Sequence, residues 1–144
     1  GLVGSEMCIR DSNYLDIIIN AVEQDNIPLA ESLINDLVNI LVEKNEKTEP
    51  IWKNGEMSVI KTAIMAVVLE NKGRREYQTL PNAYYFVAEM FKERNGKMPI
   101  DEYMAKKEAN DPIKKFFAIA RYSPTENKSK FCCCCIIYTS NVCR

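Results

Sequence analysis

Two groups of residues in this 144-residue chain have the types and spacing for chemistry: the cysteines and the cationic clusters. The cysteines are Cys8, Cys132, Cys133, Cys134, Cys135 and Cys143. Four in a row suggest a metal. Adjacent residues converge poorly on one tetrahedral ion, however, and the two-residue spacers of zinc sites are missing. The middle of the chain, residues 13–131, holds no cysteine, so a disulfide framework is not expected. The chain has no histidine, which removes imidazole ligands and His-based proton transfer. Serine and threonine hydroxyls therefore lack the usual activating base. A phosphate loop needs spaced glycines followed by Lys and then Ser or Thr. The single Gly-Lys pair is Gly96–Lys97, with Met98 after it and no glycine five residues before Gly96. No cofactor or metal is expected in this piece, and no catalytic residue is assigned. The cationic groups are Lys72, Arg74 and Arg75, and then Lys92, Arg94 and Lys97. Each follows an expected helix, so each suits a helix C-terminal dipole. A contact with phosphate or an acidic partner is the alternative. Lys72, Arg74 and Arg75 are the candidate partner-binding residues.

Composition narrows the classes further. A formal charge of −1 argues against a broad basic surface. No apolar run reaches the roughly 18 residues that a spanning helix needs. The ends read as foreign to the domain. Residues 1–12, GLVGSEMCIRDS, resemble translated adapter read-through of the kind found on metagenomic reading frames, and the Cys-rich 132–144 reads as a second such tail. Genuine terminal strands are the competing reading.

The stretch that must position everything else is 49–73, EPIWKNGEMSVIKTAIMAVVLENKG. Pro50 suits a first helical turn. Ala63 to Leu69 are seven apolar residues in succession, and a helix apolar all round lies inside something. Gly73 stands where a left-handed C-cap is expected. The expected central helix covers about 50–72. Asn54–Gly55 inside it is also a turn signal, but no alternating strands flank it. Trp52 reads as a core anchor. Before this helix, Leu15, Ile18, Ile19 and Val22 form one helical face over 14–24, with a strand over Ile17–Ile19 competing. Ser12 or Asn13 is a candidate cap for it. Ala30, Leu33, Ile34, Leu37, Val38 and Leu41 form another face, over about 28–44. After it, a charged loop is expected over 72–80. A helix over 81–94 follows, with Ala83, Phe86, Val87, Met90 and Phe91 on its apolar face, Tyr84 and Tyr85 extending that face, and Asn95–Gly96 ending it. Short helices follow over 99–107 and from Pro112 behind Asp111. The run Ser123-Pro-Thr-Glu126 is a capping box announcing one more. The fold class is therefore all-α, a compact domain of six to seven helices around a buried central one, spanning 13–131.

Several of these segments together resemble the TraG/TraD-like coupling proteins of conjugation and type IV secretion. They are EPIW, the apolar helix ending VVLEN, YQTLPNAYYFVAEM, MPIDEY, NDPIKKFFAIA and SPTENKSKF. Glu49, Pro50, Ile51 and Trp52 match the family's opening of a long helix in its all-α domain. The resemblance covers about 13–131 and rests on helix lengths and apolar signatures. It implies a fragment of a membrane-anchored, homohexameric ATPase at the cytoplasmic face of the bacterial inner membrane, this fragment itself being soluble. It implies that ATP and Mg²⁺ belong to the parent motor, and that this piece is not itself an enzyme. The implied partners are a relaxase–DNA complex or secreted protein substrates, with no small-molecule substrate. The competing reading is a free-standing helical adaptor or DNA-binding regulator. A helix-turn-helix reader would need a basic recognition helix, and the helix from Pro112 offers Lys114, Lys115 and Arg121.

Overall fold

The computed structural model describes residues 15–41 and 50–118, with side chains described over 15–41 and 57–118. Both suspect ends, all six cysteines, the capping box at Ser123 and the side chain of Trp52 lie outside those residues. Among the described residues the chain is all-helical. Helix α1 covers 15–23, α2 Ile27–Leu41, α3 Pro50–Glu70, α4 Leu80–Met90, α5 Pro99–Ala105 and α6 Pro112–Phe116. A 3-10 turn, Arg75–Tyr77, lies between α3 and α4.

Helix α3 is the axis. Every residue from Thr62 to Val68 is buried, and Ile60, Ile64, Val67 and Val68 are at most 5% exposed. Helices α2, α4 and α6 all pack on it, and α5 packs on α4. Leu15, Ile18, Ile19 and Val22 of α1 join the same core. Surrounded this way, α3 turns no side chain to solvent over 62–68, as the apolar run there requires. Its helix runs unbroken through Asn54–Gly55, so the turn reading of that pair fails. Two polar side chains inside the core are satisfied locally. Thr62 Oγ1 donates to the carbonyl of Ser58 (2.7 Å), and Ser58 Oγ donates to the carbonyl of Phe116. The second bond ties α6 to α3 across the core.

The short helices are set by their starts. Thr79 caps α4, its Oγ1 accepting from Asn82 N (3.3 Å). Asp111 caps α6, accepting from Ile113 N (2.9 Å). Pro81, Pro99 and Pro112 occupy first-turn positions, where a missing N–H costs nothing. Between α1 and α2, Asp25 takes a left-handed φ of 58°. Asn26 N reaches back to Ala21 O (2.8 Å) and Asp25 N to Val22 O (3.0 Å), the paired closure of a Schellman turn. Asn26 Oδ1 then caps α2 by accepting from Leu29 N (3.2 Å). Ring pairs fasten the far side: Phe91 meets Phe117 edge to face at 5.9 Å, and Phe86 meets Tyr103 at 5.6 Å.

The structure corrects several details of the sequence reading. Helix α3 ends at Glu70 and is followed by a turn. The expected end of α2, near residue 44, lies outside the described residues. Helix α4 stops at Met90, four residues before Arg94, because Asn95–Gly96 closes a separate turn. Tyr85 is 65% exposed and does not extend the apolar face; at about 100° per residue it lies opposite the stripe of Ala83 and Val87. The 17–19 segment is helical, and the exposure of Ile17 beside buried Ile18 and Ile19 follows the helical period.

If α3 is the axis, Val67→Asp should abolish cooperative folding. An unpaired carboxylate there would cost several kcal/mol, comparable with the whole stability of a small domain. A Val67→Asp protein melting cooperatively near the parent midpoint, followed by circular dichroism, would contradict the burial of this face.

A candidate contact surface at the end of helix α3

The last carbonyls of a helix have no partner within it, and those of α3 emerge beside the core. Three are met by side chains of the following segment. Asn71 Nδ2 donates to Val67 O (2.9 Å), Gln78 Nε2 to Val68 O (2.8 Å), and an Arg74 guanidinium nitrogen lies 3.5 Å from Glu70 O. Gln78 is 2% exposed. It is a long polar side chain drawn inward by a carbonyl that water does not reach. Gly73 takes a φ of +80°, the left-handed conformation that glycine adopts without a Cβ penalty.

This closure positions the candidate partner-binding residues. Lys72, Arg74 and Arg75 are all exposed and share the connection between α3 and α4. Their surroundings differ. Arg74 also donates to Asn71 Oδ1 (3.2 Å) and stacks over Tyr77 at 5.5 Å. Arg75 turns to α1, donating to Asn20 Oδ1 (2.9 Å) and lying 3.5 Å from Asp16. It therefore braces α1 against this connection. Lys72 is the residue whose charge the fold uses least. The helix-end reading thus holds for Arg74, which sits against a terminal carbonyl where a cation is favoured. Sequence reasoning missed Gln78, Asn71 and Tyr77. The signal for Asn71 was its place just past the apolar run; nothing along the chain pointed to Gln78.

A second polar cluster flanks the same end. Glu70 Oε1 accepts from Tyr103 Oη (2.8 Å) and from Lys107 Nζ, and Lys107 also lies 4.9 Å from the Tyr103 ring centre. The Lys107 hydrogen bond, more than any other cause, holds the Glu70 carboxyl below its ordinary value. Burial, followed by the bond it donates to Glu70, raises the Tyr103 phenol far above its own. A phenol pushed upward stays protonated and keeps donating to Glu70, so the trio works as a clasp between α3 and α5. Burial lowers Lys61, and among the described residues no ion pair to it is formed. A hollow of about 210 Å³ lined by Asp101, Met104, Ala105, Lys114 and Phe117 is mostly apolar. Among the described residues no three His, Cys, Asp or Glu side chains are grouped to hold a metal. No described helix is long and apolar enough to cross a membrane.

No protein-family model, curated protein or solved structure matches the chain.

The Glu70 clasp has a pH signature. Its folded pKa lies below the ordinary 4.5, so its stabilisation is complete above that value and is lost as pH falls through the folded pKa. Glu70→Gln should lower the thermal midpoint at neutral pH by an amount worth at most about 1 kcal/mol, since the pair is partly exposed. The difference should close in acid. An offset of the same size at a pH where both proteins carry a neutral side chain would contradict the charge argument.

Proposed function

We propose that this chain is the all-α substrate-recognition domain of a TraG/TraD-like coupling ATPase, acting in the transfer of DNA or protein. In this reading it performs no catalysis; ATP and Mg²⁺ belong to a hexameric, membrane-anchored motor. The relaxase–DNA complex or a secreted protein is what it meets at the cytoplasmic face. The observation that carries the reading is the join of two features: a long helix opened by proline and buried throughout 62–68, and an exposed cationic connection, Lys72, Arg74 and Arg75, held at its end by Gln78 and Asn71. Connections bind because helix faces are occupied by the core. Arginine forks and a lysine suit phosphates and acidic protein surface alike.

The adaptor or DNA-reader alternative draws less support. Helix α6 has five residues, and its lysines are engaged, Lys115 with Glu31 at 3.2 Å and Lys114 with the carbonyl of Lys107 at 3.3 Å.

Immobilised chain should capture a relaxase–DNA complex, and Lys72→Glu with Arg74→Glu should reduce that capture several-fold. Capture by the parent should weaken with salt and the difference between the two proteins should shrink, because exposed charges are screened. Arg75 is left unchanged in this test, since reversing it would set a carboxylate against Asp16. Equal capture by both proteins would remove this connection from the contact. No capture by either would favour the adaptor alternative.

A further inference from the structure

We propose that the turn Arg94–Lys97 is a binding site for the phosphate backbone of nucleic acid. The inference stands on the turn alone and does not require the coupling-protein reading. Arg94 and Lys97 exchange both backbone hydrogen bonds, N to O at 2.7 Å and 3.0 Å. Asn95 and Gly96 between them take φ of 55° and 75°, which makes a type I′ hairpin turn, the form Asn-Gly favours. The residues on either side of the exposed run, Phe91 and Met98, are 2% and 3% exposed. The turn is therefore stiff and fixed to the core at both feet.

That stiffness makes the charge placement informative. Residues closing such a pair lie about 5.5 Å apart at Cα with side chains on one face. Two cations there repel, and like charges directly opposite are destabilising. Among the described residues neither Arg94 nor Lys97 forms an ion pair; Glu89 lies by Lys92 instead, at 3.8 Å. An anion bridging the two removes the repulsion, and a rigid pair loses little side-chain freedom in gripping it.

The chemistry favours a phosphodiester over an acidic protein. All six residues from Lys92 to Lys97 are exposed, and none is apolar. Protein interfaces draw their affinity from buried aromatic or aliphatic anchors, which this turn lacks. Phosphate contacts come from Arg, Lys, Asn and backbone N–H groups. The turn presents Arg94, Asn95 and Lys97, and its closing bonds use the N–H groups of the outer two residues only. With a net charge of −1 for the chain, binding must come from this local geometry.

The test is fluorescence anisotropy of a short labelled DNA with the full chain over a salt series. The parent should bind at low salt. Arg94→Glu with Lys97→Glu should weaken binding about tenfold or more and reduce the slope of log affinity against log salt by about 2, one per lost phosphate contact. Lys106→Glu, at an exposed lysine beyond α5 that belongs to neither contact surface, should leave that slope nearly unchanged. Arg94→Glu alone should weaken binding while leaving the thermal midpoint unchanged or higher, because it converts a like-charge pair into an opposite one. Four results would overturn the proposal: no binding by the parent, equal affinity of parent and double variant, an equal loss with Lys106→Glu, or a thermal midpoint that falls in step with binding. Poly-glutamate binding as tightly as DNA, with the same sensitivity, would replace nucleic acid by acidic protein.

Discussion

A helix covered by apolar side chains on every side must still end, and its last carbonyls must be met where water is scarce. That requirement governs the end of α3. Leaving a buried carbonyl without a partner costs about 1–3 kcal/mol. The chain meets it with Asn71 on Val67 O and Gln78 on Val68 O, and with Arg74 near Glu70 O. Once Gln78 is drawn inward, the connection between α3 and α4 has little freedom left. Thr79, the next residue, caps α4, and Asn82 reaches back to the carbonyl of Tyr77 (2.8 Å).

The surface features follow from that closure. Turning the chain at Gly73 and folding it inward at Gln78 leaves Lys72, Arg74, Arg75 and Tyr77 outside. Arg75 then fastens α1 through Asp16 and Asn20, and the Glu70–Tyr103–Lys107 clasp fastens α5. The peripheral helices are therefore held near one end of α3 by polar contacts as well as by the core. Ser58 and the backbone of Phe116 hold α6 nearer the other end of the described side chains. Each of these polar contacts is partly exposed and individually modest; the buried apolar face of α3 supplies the larger share.

Much of this architecture was legible in the residues. Ala63 to Leu69 could only be an interior helix, and the three later helix starts were marked by proline with a capping residue or an acidic first turn. Gly73 was legible as a left-handed position for the same reason. The errors came from reading one signal for another. Asn95–Gly96 marks a turn in either case, and only the burial of Phe91 and Met98 tells a hairpin turn from a helix stop. Tyr85 looked like core because it is aromatic, whereas its helical angle places it in solvent. The inward turn of Gln78 was hidden because nothing in a glutamine's neighbours along the chain reveals which distant carbonyl lacks a donor. For the candidate contact residues, exposure was foreseeable. The division of labour among Lys72, Arg74 and Arg75 depended on α1 lying alongside, which is a tertiary fact.

Native-state hydrogen exchange resolved by residue tests the central claim most directly. If α3 is the buried axis, the amides from about Thr62 to Val68 should be the slowest in the chain and should exchange only through global unfolding. Those of α1 and α5 should open at lower free energy. Exchange from 62–68 as fast as from α5, at a denaturant dependence showing local opening, would contradict the account.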